Sequence, residues 1–375
     1  MNYFNLTKAF ALMICSAVFF SCIQSEAPNA EADIVAVTVP DDILVLDLID
    51  NDRVTLLVKA ASESLTALKL EFELTPGATI SPESGSAQDF SDPSVPVIYT
   101  VTSEDQQWSK PYEVICIPAE MPTKFSFENF RIAETYAAGY KYEYYEFYEI
   151  IENRELGITY NYPLWASGNT GYQILSAGRP AEDYPTVAVK EGIDGGYCAK
   201  LETRATGATG IQLKKYMAAG NLFIGSYSGS LDALKATHFG LPFNRIPLRF
   251  SGYYKYKPGE KYMESNVHNP SIQDNFEIYA IIYETNEKVK YLDGETVSDR
   301  SNRILEARIE EKGEQAEWKR FDIPFESVDG RTIDPVKLAA NKYNLAVVFS
   351  SSEGGAEFNG AIGSTLYIDE VEIHY

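Results

Sequence analysis

Trp165 opens a run of small and polar residues, Ala166-Ser167-Gly168-Asn169, that ties an indole face to an amide within one short loop. A pyranose has an apolar C–H face that stacks on Trp or Tyr, and edge hydroxyls that pair with amides, carboxylates and guanidinium groups. Trp165 and Asn169 supply both parts. In Tyr253-Tyr254-Lys255-Tyr256 a strand places Tyr254 and Tyr256 on one face and Tyr253 with Lys255 on the other. Trp165, Asn169, Tyr254 and Tyr256 are therefore the expected glycan contacts.

Cleaving a glycan would need two opposed carboxylates, ~5–5.5 Å apart for retention or ~6.5–9.5 Å for inversion. With 54 acidic residues, pairs are inevitable and spacing selects none. The Glu-x-Asp-x-x-Glu strand of sandwich-fold glucanases is absent. Asp274 and Glu277, beside an aromatic strand, are the remaining catalytic candidates. His238, His268 and His374 share no metal-ligand spacing, and there is no Cys-x-x-Cys pair. No phosphate-cradling loop ends in Lys-Ser/Thr, and Gly225-Ser226-Tyr227-Ser228-Gly229 has its serines out of place for a nucleophile elbow.

The elements that must position these residues are strands. Tyr and Phe are abundant, and Gly and Pro punctuate the chain throughout. Short β-type runs at 34–39, 43–48, 53–60, 68–74, 97–103 and 112–117 predict an immunoglobulin-like sandwich over 33–118. It carries no catalytic constellation, since Asp47, Asp50 and Asp52 lack the glycine and terminal Glu of a calcium loop; the expected role is a spacer. Pro118 and Pro122 bracket a stiff linker. From 123 to 375, about nine further runs without βαβ alternation predict a larger, jelly-roll-like β-sandwich. Residues 140–154 fit both a helical face and a strand alternation, and the choice stays open. At the end of the chain Val371, Ile373 and Tyr375 alternate with Glu370, Glu372 and His374, one face apolar and one polar.

The formal net charge of −22 repels phosphate backbones, which argues against nucleic acid as a partner. At the N-terminus Lys8 precedes an apolar run over 9–20 that ends at Ser21-Cys22. The run is too short to span a membrane and reads as a signal peptide, residues 1–21. A small residue before Cys is the lipobox arrangement, so Cys22 is the expected lipid attachment point and 22–32 a flexible tether. The membrane would be met through that lipid only, at the outer membrane or cell surface. Cys116 and Cys198 lie in apolar surroundings and are expected as core residues.

Several landmarks together carry a family resemblance: Tyr162-Pro163-Leu164-Trp165, Ala218-Ala219-Gly220-Asn221-Leu222-Phe223, His238-Phe239-Gly240-Leu241-Pro242-Phe243, Gly252-Tyr253-Tyr254-Lys255-Tyr256 and Ile278-Tyr279-Ala280-Ile281-Ile282-Tyr283. From Phe125 onward the chain resembles the putative carbohydrate metabolism domain of surface lipoproteins from anaerobic Gram-negative bacteria. The resemblance implies a glycan partner, bound without catalysis or, alternatively, hydrolysed; an adhesin or structural surface protein is a further alternative. It implies no organic cofactor. Where first and last strands of sugar-binding jelly rolls meet, a structural calcium is common, and Glu128 and Asp369 are the residues that could hold one here.

Overall fold

The computed structural model describes residues 27–375 except 41–42, 61–64, 138–139, 155–156, 177 and 229–231. The expected signal peptide, Cys22 and the start of the expected tether lie outside the described residues. The fold is all-β, with a few short helices.

The N-terminal sandwich has one sheet of five strands, in the order Leu44–Ile49, Arg53–Val58, Ser109–Pro118, Val97–Thr102 and Thr79–Ser81. Two short pairs face it, Ile34–Thr38 with Glu71–Leu74 and Leu68–Lys69 with Ala87–Gln88. Alternation sends Val54 and Leu56 into the core between them, together with Tyr99, Val101, Tyr112 and Val114. Leu57 points the other way and is buried in the core of the larger domain. Glu120 of the linker pairs with Arg245. Cys116 and Cys198 are buried free thiols, as expected.

The larger domain packs two sheets face to face. The first has the order Thr186–Val189, Cys198–Glu202, Thr365–His374, Arg249–Lys257 and Gln315–Pro324, with Lys124–Phe125 added beside Thr365–His374. The second has the order Trp165–Ala166, Asn221–Tyr227, Tyr343–Ser350, Glu277–Glu284, Arg303–Arg308 and Glu326–Ser327, flanked by Thr237–Phe239 and Leu241–Pro242. Residues 140–154 resolve into strands: Tyr140–Phe147 pairs with Phe130–Ala137, and Glu149–Asn153 pairs with Ile158–Tyr162.

The final strand carries a feature that simple alternation hides. Leu366 and Ile368 face the core, and so do Val371 and Ile373, which reverses the parity within one strand. The switch occurs at Glu370, whose φ is 46°. Opposite it the register against Arg249–Lys257 jumps from Ser251↔Glu372 to Tyr253↔Asp369. One extra residue forms a bulge and flips the strand over.

The central strands of the second sheet are buried on both faces. Leu345, Val347 and Phe349 join the core between the sheets. Ala346 and Val348, with Phe223, Tyr279 and Ile281, form a separate apolar cluster on the outer face. A sheet face in the interior of a sandwich needs apolar side chains; an outer face does not. Apolar residues there must be covered by loops or by a ligand.

Candidate functional site

Register arranges the outer face of the second sheet in rows. Asn221, Ser350 and Glu277 are partners across three neighbouring strands. Two residues along, Phe223, Val348 and Tyr279 are partners in the same way. Both rows line a cavity of about 430 Å³. Its walls come from the helix Asn169–Leu175, the turn carrying Leu213 and Lys215, the segment containing Leu234 and Phe239, and the loop that carries Ser352, Glu353 and Phe358. The size falls in the range of small-ligand sites, roughly 300–1,000 Å³.

Ionic contacts gather at the polar end. Glu277 Oε1 accepts from Lys312 Nζ at 2.7 Å, and Lys312 also reaches Glu353 Oε1 at 3.1 Å. Glu277 Oε2 accepts from Arg308. The Arg308 guanidinium lies 4.1 Å from the centre of the Tyr279 ring and donates through Nε to Glu306 at 2.9 Å. Across the mouth, Lys215 Nζ stands 4.8 Å from the centre of the Phe358 ring. Glu277 and Glu353 share one ammonium, which keeps the bonded oxygens within about 6 Å of each other, an upper bound that admits the spacing of a retaining pair.

The wall loop is fixed from beneath. Asp274 is 1 % exposed, and its Oδ2 accepts from Ser352 Oγ at 2.6 Å, Ser364 Oγ at 2.6 Å and Ala361 N at 2.7 Å. Its Oδ1 accepts from Asn275 N at 3.0 Å. Burial raises the Asp274 pKa, and the four hydrogen bonds pull it back down. Asp274 is thus a buried anchor for the loop, which corrects the expectation of a catalytic role. Glu277, its companion candidate, does line the cavity.

The expected glycan contacts lie elsewhere. Trp165 is 5 % exposed, its ring packed on Phe125 and Phe127 at 5.1 and 5.2 Å between centroids. Asn169 is fully buried; its Nδ2 donates to Thr186 O at 2.7 Å and its Oδ1 accepts from Thr186 N at 3.1 Å. It ties the helix to a strand edge. Tyr254 and Tyr256 are buried against Phe276, at 5.0 and 4.8 Å between centroids. None of the four offers a face to a sugar, which corrects the expectation: for Tyr254 and Tyr256 the pattern gives the two faces of a strand but not which is the inner one, and Trp165 and Asn169 are held by core packing and hydrogen bonds from distant segments. Tyr253 and Lys255 are the outward pair, with Lys255 Nζ between the rings of Trp318 and Tyr367, at 4.8 and 4.4 Å.

The pair expected to hold calcium sits on either side of one loop. Glu128 Oε1 accepts from Tyr197 N at 2.7 Å, and Asp369 Oδ2 accepts from Ile193 N at 2.8 Å. Burial pushes the Asp369 carboxyl up to about 6. Both carboxylates thus hold the loop through backbone N–H groups, and among the described residues no group of three His, Cys, Asp or Glu side chains is placed to hold a metal ion.

Phe223, Tyr279, Lys215 and Glu353, which sequence reasoning did not name as ligand contacts, all line the cavity. The available signal was the apolar run around Tyr279, too continuous for a strand with one wet face.

Two family models match the chain. One, described as a putative carbohydrate metabolism domain, covers residues 126–374, and one described as "SGBP, N-terminal" covers residues 30–116. Among solved structures, a putative glycoside hydrolase from Bacteroides thetaiotaomicron is 42% identical over 94% of this chain and 99% of its own, with a TM-score of 0.64. A putative glycoside hydrolase from Bacteroides vulgatus is 39% identical over 68% of this chain and 98% of its own, with a TM-score of 0.60. No curated protein matches.

Proposed function

The chain belongs to the putative carbohydrate metabolism domain family, and from that premise we propose that it binds a glycan, without cleaving it, in the cavity on the outer face of the second sheet. The observation that supports this is the floor of that cavity, where a polar row, Asn221, Ser350 and Glu277, adjoins an aromatic one containing Phe223 and Tyr279. Such a floor matches the two surfaces of a sugar ring, edge hydroxyls and apolar face. The protein would work at the cell surface, held by lipid at Cys22. Metabolic labelling with a fatty-acid analogue, lost in Cys22→Ser, is the expected result for that anchor.

A second reading, glycoside hydrolysis, has one observation in its favour, the spacing of Glu277 and Glu353. Against it, both oxygens of Glu277 already accept from cations, Lys312 and Arg308. As acid or base Glu277 would have to break a pair to move a proton, and as nucleophile it would have to give up a cation to reach an anomeric carbon. A glycan array probed with the full chain, followed by an assay for new reducing ends on each hit, separates the two readings. Binding without new reducing ends, weakened by Phe358→Ala, is expected. Turnover abolished by Glu353→Gln would establish hydrolysis, and binding to no glycan would turn attention to a protein partner.

A further inference from the structure

We propose that the cavity selects sugars carrying an apolar substituent, an ester-linked acyl or an aryl group, over plain glycans; the inference rests on the glycan-binding reading above. The floor changes character over one step of the strands. Its polar row and its apolar row are two residues apart, about 7 Å along the sheet. Beyond Phe223, Val348 and Tyr279 the lining is mostly apolar, with Leu234, Phe239 and Val297; Tyr227 and Thr237 are the polar exceptions, and the Thr237 hydroxyl already donates to Leu234 O at 3.1 Å. A pyranose laid across the polar row has room for its hydroxyls only at that end.

An unsubstituted second sugar would press its hydroxyls against Leu and Val side chains that can neither donate nor accept, and buried hydroxyls left unpaired are costly. An acyl chain or aromatic ring meets the same wall without that cost and buries apolar surface from both partners. The mouth points the same way. Ile174 and Leu213 line the cavity and are 40% and 54% exposed, an apolar stretch of rim beside Lys215, whose ammonium lies against the Phe358 ring. The polar row itself stands at one end: Asn221 Oδ1 accepts from Gly168 N at 2.7 Å, Ser350 Oγ donates to Ser352 O at 2.8 Å, and Glu277 is held by its cations. A ligand with one polar and one apolar end fits this lining in a single orientation.

The test uses the full chain and matched pairs of methyl and phenyl glycosides of the common hexoses and pentoses, with affinities measured by ligand-observed NMR titration. For at least one sugar the phenyl glycoside is expected to bind about tenfold tighter or more than its methyl partner. In the double variant Ile174→Ser, Leu213→Ser, at exposed positions that folding tolerates, that ratio should fall below about threefold. Equal affinities within every pair would overturn the inference and leave the glycan reading standing. Phenol binding as tightly as the phenyl glycosides would overturn both, since the sugar would then contribute nothing. Failure of every pair to bind at millimolar concentration also overturns the inference, and binding on the glycan array then decides whether the glycan reading falls with it.

Discussion

Trp165 donates its indole N–H to Glu149 Oε1 at 3.1 Å, and both side chains are buried. Burial pushes the Glu149 carboxyl from 4.5 up to about 7, against the smaller downward pull of that hydrogen bond. A carboxyl whose folded pKa is raised binds more protons folded than unfolded between those two values. Its contribution to stability is therefore full below about 4.5, and is lost as pH rises through about 7. The shift corresponds to about 3 kcal/mol. Asp369, raised to about 6, acts in the same direction. Glu149→Gln keeps an acceptor for the indole and removes the titration. The variant should gain several degrees in melting temperature over the parent at pH 8 and little at pH 5; parallel curves would show that Glu149 does not titrate in this window.

Because Trp165 fills the core, Trp165→Ala should destabilise the larger domain by about 3–5 kcal/mol, and more if Glu149 is left ionised without its partner. Loss of glycan binding in that variant would then report unfolding. Chemical denaturation of parent and variant is the check; a stability change under about 1 kcal/mol would mean that the indole is not packed as the ring contacts describe.

Asp274→Ala removes one carboxylate, strands two buried donors, Ser364 Oγ and Ala361 N, and leaves Ser352 Oγ with Thr203 Oγ1 as its remaining side-chain partner. Each unpaired buried donor costs about 1–3 kcal/mol, so the wall loop should open before the sheets do. Amide hydrogen exchange should rise across residues 352–364 and stay near parent values in the strand Tyr343–Ser350. Uniform loss of protection across both would instead make Asp274 part of the global core.

These residues also mark how far the sequence could be read. The all-β fold, the two sandwiches and the buried cysteines follow from composition and period, which are local properties. Which face of Tyr253-Tyr254-Lys255-Tyr256 turns inward depends on the neighbouring sheet, and no local signal carries it. The bulge at Glu370 is invisible for a similar reason. The apparent alternation from Glu370 to His374 holds, but it reverses what lies before it, and only the register against Arg249–Lys257 shows the change. The cavity is the least local feature of all. Asn221, Glu277 and Ser350 are far apart along the chain and become neighbours only through pairing across three strands.

Lys312 offers the sharpest probe of the polar end. Its side chain is 15% exposed and sits between Glu277 and Glu353. Lys312→Met leaves Arg308 on Glu277 and gives Glu353 no cation among its described ion pairs. Two carboxylates within about 6 Å then repel each other with little screening at low ionic strength, where the Debye length exceeds their separation. Glu353 is 58% exposed and will swing outward, taking part of the wall with it. Affinity for a glycan hit from the array should fall about tenfold at low salt and recover in part as salt is raised, while the parent changes little. Unchanged affinity at low salt would mean that ligand does not reach the polar row, and the binding site would have to be sought on the outward face that carries Trp318, Lys255 and Tyr367.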